Sequence, residues 1–336
     1  MKSPEQFRGF FYTVSSTIFN FNAHMSTILI TGGTGLIGTA LTKMLIENDH
    51  SVIVLTRDKT KHQQQHPNIS HALWDIPSQT IDIGAVKKAD RIIHLAGANV
   101  AGKRWTKKRK KEIVDSRVQS AKLLVKALQE NENKVRSVFT ASGIGWYGPD
   151  NPAVVERGGF VETDPAADDF LGQTCLQWEQ SLEPVTAMGK RLAKFRQGIV
   201  LSNEGGALQE FKKPMRTGIA AILGSGRQIM SWIHIQDLCR LYLHALEHEQ
   251  LHGAYNAVAH QPVSNKTFMM ELAKRERGKF ALPMHVPSFI LKLVLGEMSI
   301  EVLKSTTVNN EKTRHTGFKF LYPSIEAALN QLQGNH

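Results

Sequence analysis

Along this chain, short runs of β-branched and apolar residues alternate with stretches in which the apolar positions recur every three to four residues. The first run, Thr27-Ile28-Leu29-Ile30, leads into glycines, and residues 36–48 then show helical spacing. That order is strand, turn, helix. Further strands are predicted over 51–55, 91–95, 137–140, 194–201 and 254–258, with a helix over 111–129 between 91–95 and 137–140. Alternation of this kind predicts an α/β fold, a doubly wound parallel sheet with right-handed crossovers. From about Gly205 glycines break the pattern, and after Ala281 a proline-punctuated helical tail begins. A smaller, discontinuous C-terminal lobe, suited to a substrate, is therefore expected beside the sheet.

The glycines after the first strand carry the strongest chemical signal. Thr31-Gly32-Gly33-Thr34-Gly35-Leu36-Ile37-Gly38 holds Gly-x-x-Gly-x-x-Gly between a strand and a helix. In a Rossmann-type turn such glycines make a tight bend, let the backbone approach a pyrophosphate and let helix pack on strand. The pyrophosphate then faces free amides at the positive end of the helix. Gly32, Thr34, Gly35, Leu36, Ile37 and Gly38 are the candidate contacts. The end of the second strand selects the dinucleotide, since an acidic residue there holds ribose hydroxyls whereas arginine accommodates a 2′-phosphate. Arg57 comes before Asp58. NADP(H) is thus expected ahead of NAD(H), with both residues as candidate contacts. The expected domains are an NADP-binding Rossmann domain over 25–204, to which strand 254–258 returns, a part of the substrate lobe over 205–280, and a small C-terminal domain over 281–332.

Composition narrows the class. Of 336 residues 41% are hydrophobic and 21% charged, with no apolar run of membrane-spanning length, so a soluble globular protein with no membrane partner is expected. The net charge of +11 raises the question of nucleic acid, and the run from Lys103 to Lys111 concentrates it. That run holds one aromatic residue and no recognition fold surrounds it. A solvated helix face is the expected reading, and nucleic acid is not an expected partner. Cys175 and Cys239 are the two cysteines and lack metal-ligand spacing, so no metal is expected and a reducing, cytoplasmic setting fits. Residues 1–24 hold Phe7, Phe10, Phe11, Tyr12, Phe19 and Phe21 but no signal-peptide core, and Met25 precedes the first strand. They read as an extension, either a disordered or loosely attached arm or a gene-start artefact.

Taken together these segments resemble the extended short-chain dehydrogenase/reductase superfamily. The strings His94-Leu95-Ala96-Gly97-Ala98-Asn99-Val100, Ser116-Arg117-Val118 and Trp178-Glu179, residues 196–201, and the long string from Gly224 to Leu238 narrow the match. They are similar to NAD-dependent epimerase/dehydratase-like proteins, sometimes labelled sugar-nucleotide epimerases or cell-division inhibitors. The tail, with Leu295-Gly296-Glu297-Met298 and residues 317–323, is similar to that family's small C-terminal domain of unknown function. The resemblance covers roughly residues 25–332.

The resemblance implies that Leu95, Ala96 and Gly97 line the nicotinamide ribose, that Trp74 and Asp75 form the adenine edge, and that Ser142 is the catalytic serine. It also implies a tyrosine acid/base in a Tyr-x-x-x-Lys helix, with the lysine lowering the phenol's pKa. After Asp169-Phe170-Leu171 this sequence has no such pair. Matching on Trp178-Glu179 puts Cys175 at the tyrosine place and Glu179 at the lysine place, where Glu179 could bind a ribose hydroxyl. A carboxylate there raises a neighbouring thiol's pKa. Tyr147, five residues after Ser142, is the other candidate proton donor. Arg227 is a candidate for an anionic substrate group. Asp237 is expected to cap a helix, and Lys103, Arg104 and Trp105 could face the cleft. The resulting expectation is an NADP(H)-dependent oxidoreductase or epimerase-like enzyme for a small polar, sugar-derived substrate. Its rival is a non-catalytic NADP(H)-binding redox sensor. Superfamily members often form a homodimer through two helices, but no decisive apolar stripe marks the helices here, so oligomeric state stays open.

Overall fold

Thr27–Thr31 (β1) is buried at four of its five positions because it lies inside a parallel sheet covered on both faces. The structure, a computed structural model, describes residues 25–58, 60, 66–278 and 281–333. The expectation for residues 1–24 lies outside them. With β1 pair β2 (Ser51–Thr56), β3 (Ile69–Asp75), β4 (Thr80–Ile81), β5 (Arg91–His94), β6 (Ser137–Gly143), β7 (Arg191–Gln197) and the strand Gly253–Ala257. The order across the sheet is Gly253–Ala257, β7, β6, β5, β1, β2, β3, β4, and only the β3–β4 pair is antiparallel. Chain order reverses between β1 and β5. In sheets of this kind the crevice at the carboxyl ends of the strands flanking that switch is where ligands bind.

Five helices follow the early strands: α1 (Leu36–Glu47), α2 (Ile83–Lys88), α3 (Lys107–Glu130), α4 (Pro152–Glu156) and α5 (Phe170–Leu182). The period of two in β1 sends Leu29 to one core, with Leu124 of α3 and Leu182 of α5, and Ile28 and Ile30 to the opposite one, with Leu41 of α1 and Leu241. The fold is therefore the expected doubly wound α/β sheet. The helix expected over 111–129 begins earlier, at Lys107, because the Thr106 hydroxyl accepts from the Arg109 amide at 3.1 Å and caps it.

The single strand expected over 194–201 is two strands. At Gly198 the backbone passes so close to Ser231 that a Cβ would sit 2.7 Å from its carbonyl oxygen. Beyond it Ile199–Ser202 pairs with Trp232–His234 in a separate sheet. A third core, holding Leu201, Trp232, Phe268 and Leu329, fills this second lobe, and the helix Ile325–Gln333 closes it. Asp237 does not cap its helix. His234 does, accepting from the Gln236 amide, while the fully buried Asp237 carboxylate accepts from the amides of Leu321 and Tyr322 at 2.8 and 2.9 Å. A local pattern shows an acid near a helix start but not a chain segment arriving 84 residues later.

His94, at the end of β5, is fully buried, with Nδ1 2.7 Å from the Thr31 hydroxyl and Nε2 3.3 Å from Ser120. Burial first, then Arg117, lowers its pKa from 6.5 to about 3. A folded-state value below the unfolded one means the neutral ring's contribution is fully present above the unfolded pKa. It is lost as pH falls toward 3, at a limiting slope of about 1.4 kcal/mol per pH unit. Histidine ring resonances followed by NMR should show His94 unmoved from pH 8 to about 5. A titration midpoint at the ordinary histidine value is the contrary result.

Candidate functional site

The Gly32–Gly38 segment folds as a turn that only glycine permits at its critical points. Gly32 has φ +69°, and a Cβ there would lie 2.9 Å from the Leu95 carbonyl carbon. At Gly38 a Cβ would meet the Gly32 carbonyl oxygen at 2.2 Å. The Gly35 amide closes the turn on the Gly32 oxygen at 3.0 Å. Gly35 then starts α1 with no side-chain cap and no acidic residue in the first turn. Free amides and the positive end of the dipole are therefore left for an anion. The Thr31 hydroxyl accepts from the amides of both Leu95 and Ala96 at 3.2 Å, which fixes the loop after β5 against the turn.

A cleft of about 1340 Å³ opens at the carboxyl ends of β1, β2, β3 and β5. It brings together Gly32, Thr34 and Gly35 with Arg57 and Asp58, with Trp74, and with Leu95, Ala96 and Gly97. Arg57 is exposed and joins no ion pair among the described residues. Asp58 accepts from the Thr60 amide at 2.9 Å and from its hydroxyl at 2.6 Å, which holds the β2 end in a local turn. The other candidates lie elsewhere. Leu36 packs toward Gly205 and Gly206 of the second lobe, and Ile37 against the α1-side core. Gly38 is buried inside the turn, and Asp75 accepts from the Ser78 hydroxyl.

One wall was missed. Lys108, Lys111, Ser116 and Gln119 of α3 line the cleft opposite the glycine turn. Lys108 and Lys111 are exposed, as expected of a solvated face, and positions 108, 111, 115 and 119 share one helical face, which was the available signal for the wall. Arg109 pairs with Glu112 at 2.7 Å, Lys110 with Glu297 and Lys111 with Asp115, and Glu112 and Asp115 line the cleft too. Trp105 is buried, its indole nitrogen donating to the Val100 carbonyl. Arg104 lies against Gly296, and Arg227 is exposed in the second lobe.

Ser142, Tyr147 and Glu179 meet around one buried arginine, with Cys175 nearby, and none of the four lines the cleft. Arg196 donates from Nε and Nη2 to the two Glu179 carboxylate oxygens at 2.9 and 3.1 Å. Ser142 donates to the same carboxylate at 2.8 Å. Arg196 also stacks on Trp146 at 3.5 Å and donates to the Tyr147 hydroxyl at 3.1 Å, and that hydroxyl donates to Asn256 at 2.7 Å. Tyr147 is fully buried, and burial pushes its phenol well above the usual range. The structure thus gives Glu179 an arginine partner rather than a place on the cleft wall. Cys175 is buried, with Sγ 3.7 Å from the Gly143 carbonyl oxygen. Burial and then Glu179 raise its thiol to about 11, against the pull of Arg117.

Comparison with known proteins agrees with this geometry. The NAD dependent epimerase/dehydratase family model matches residues 28–167, and the domain of unknown function DUF1731 matches residues 286–332. An epimerase family protein of Staphylococcus saprophyticus is 39% identical over 311 residues, which is 92% of this chain and 99% of that one. The crystal structure of the human epimerase family protein SDR39U1 (isoform 2) with NADPH has a TM-score of 0.80 at 28% identity, covering 92% of this chain and 100% of its own. A nucleoside-diphosphate sugar epimerase from Corynebacterium glutamicum has a TM-score of 0.70 at 29% identity, covering 92% of this chain and 58% of its own. Among the described residues no helix is long and apolar enough to cross a membrane. With its Rossmann-type nucleotide-binding domain and its C-terminal DUF1731 domain, the chain belongs to the NAD dependent epimerase/dehydratase family.

Proposed function

We propose that this protein is an NADP(H)-dependent oxidoreductase or epimerase-like enzyme acting on a small polar, sugar-derived substrate. The observation that carries the reading is the uncapped α1 N-terminus facing a cleft whose outer wall presents Arg57 without an ion-pair partner among the described residues. Gly32, Thr34 and Gly35 would hold the pyrophosphate and Arg57 the 2′-phosphate, with Trp74 at the adenine and Leu95 to Gly97 at the nicotinamide ribose. The nicotinamide, when bound, supplies hydride transfer. The NADPH in the human relative and the name of the C. glutamicum relative support this cofactor and this substrate class. The ion pairs within the basic run support a protein that does not use it for nucleic acid. Two buried thiols suit a reducing cytoplasm.

A thiol at about 11 is protonated at neutral pH, which suits Cys175 to donate a proton to a developing alkoxide rather than to take one. The Tyr147 hydroxyl already donates to Asn256 and accepts from Arg196, whereas the Cys175 thiol makes a long 3.7 Å contact to the Gly143 carbonyl, which favours the thiol as donor. The test is NADPH oxidation with a panel of carbonyl-bearing sugars. Cys175→Ala should lower kcat about a hundredfold or more while Tyr147→Phe leaves it near wild type. The reverse order removes the thiol from the mechanism. A second reading, a non-catalytic NADP(H) sensor, is favoured by the Ser142 hydroxyl being committed to Glu179. Under it NADPH binds and no carbonyl substrate is reduced.

A further inference from the structure

Arg117 of α3 is a guanidinium held where a counter-ion is missing. Its Nη1 donates to the carbonyls of Ala98 at 3.1 Å and Ile113 at 2.9 Å, and its Cζ lies 5.0 Å over the Trp178 ring. Arg196 pairs with Glu179, Arg109 with Glu112 and Arg91 with Glu249, whereas Arg191 is held by the carbonyls of Ala245, His248 and Leu251. Among the described residues no ion pair includes Arg117. Burial lowers its pKa from the ordinary arginine value, the thiol of Cys175 opposes that, and Arg109 adds to it. No carboxylate offsets the charge. A part-buried cation that no carboxylate pairs is less well compensated than the ion-paired arginines, and its unbonded edge is left to an incoming anion.

Two features show where that partner would come from. Gly97 does not have the left-handed backbone that calls for glycine, yet a Cβ there would sit 2.9 Å from the Arg117 Cζ and 3.2 Å from both Nη atoms. Gly97 lines the cleft, and its missing side chain lets the guanidinium pack directly against the back of the cleft lining there. The two hydrogen bonds that Arg117 makes among the described residues both leave from Nη1. The Nε and Nη2 edge, the fork that matches a carboxylate with two parallel bonds, is therefore left over. The Trp178 ring that the guanidinium covers has a buried Nε1 with no hydrogen-bond partner.

We propose that the free Nε/Nη2 edge of Arg117 receives a carboxylate of the substrate at the inner end of the cleft, beside Gly97 and Cys175. The proposal rests on the reading of this cleft as a cofactor and substrate site and adds the substrate's class, a small acid. A carboxylate so held neutralises the part-buried guanidinium and anchors the molecule next to the thiol.

The test uses the full chain saturated with NADPH. Acetate, its neutral isostere acetamide, and inorganic phosphate are titrated calorimetrically at constant ionic strength. Acetate should bind where acetamide does not, and Arg117→Lys, which keeps the charge and loses the fork, should weaken acetate about tenfold or more. Arg117→Met should unfold at or above the wild-type temperature, because it removes an uncompensated charge, whereas a purely structural arginine requires a lower temperature. If a variant does not fold, the wild-type titration decides alone. The proposal is overturned if acetate and acetamide behave alike. It is equally overturned if phosphate binds and displaces NADPH while acetate has no effect, which assigns the guanidinium to the cofactor. If NADPH itself fails to bind, the cofactor reading is what falls, and the same titrations on the unloaded chain decide the fate of the carboxylate site.

Discussion

Glu179→Gln should destabilise the folded protein by about 3–5 kcal/mol, read as the loss of unfolding free energy in urea. Glutamine keeps the volume and removes the charge, leaving Arg196 buried among Trp146, Tyr147 and Ser142 without its bidentate partner. Lys194, 3.8 Å from the carboxylate, loses that contact but keeps Glu183. The effect is large because the pair joins separate elements: Ser142 on β6, Glu179 on α5, Arg196 on β7 and, through Tyr147, Asn256 on the strand Gly253–Ala257. Replacing both Glu179 and Arg196 by methionine should cost much less than the sum of the single changes, since no charge is then stranded. If Glu179 instead served a ribose hydroxyl, Glu179→Gln would weaken NADPH binding and leave the unfolding curve in place.

Gly38→Ala should remove cofactor binding, with NADPH affinity falling on the order of a hundredfold or more, equivalent to about 2.7 kcal/mol. The added methyl would lie 2.2 Å from the Gly32 carbonyl oxygen and 2.5 Å from the Gly33 Cα, so it meets backbone on two sides and no side chain can swing away. The turn must open, and the α1 amides then no longer converge on one point. Gly189→Ala provides the control. Its φ of +71° makes it strained, but nothing lies within 4 Å of the added carbon, so it should cost about 1 kcal/mol of stability and leave NADPH affinity unchanged.

The parts of the site that were legible in the sequence are those whose physics is local. A strand, three spaced glycines and a helix lie within residues 27–47, and Arg57 follows the next strand, so the pyrophosphate turn and the cation at its outer wall could be read from one short stretch. The parallel sheet followed from period and order. What stayed hidden depends on partners far apart in the chain. Arg196 was visible as part of a strand-like run and of a string that carried the family resemblance, but nothing near it announces Glu179 or Tyr147. Asp237 stood at a helix start and was expected to cap it, whereas its acceptors' partners arrive at Leu321 and Tyr322. The bend at Gly198 needs the approach of Ser231 to be explained. Arg117 sat in a string that carried the family resemblance, but its missing counter-ion exists only in three dimensions.

On the proposed reading the turn from Gly32 to Gly38, with Arg57, binds NADP(H). Calorimetric titration of NADPH and NADH into the wild type and Arg57→Ser tests it most directly. NADPH should bind the wild type at least about tenfold tighter than NADH, and the gap should close in Arg57→Ser, as expected for one charge-assisted contact of about 1.5–3 kcal/mol. Binding of neither dinucleotide, or equal affinities in the wild type, would contradict the account.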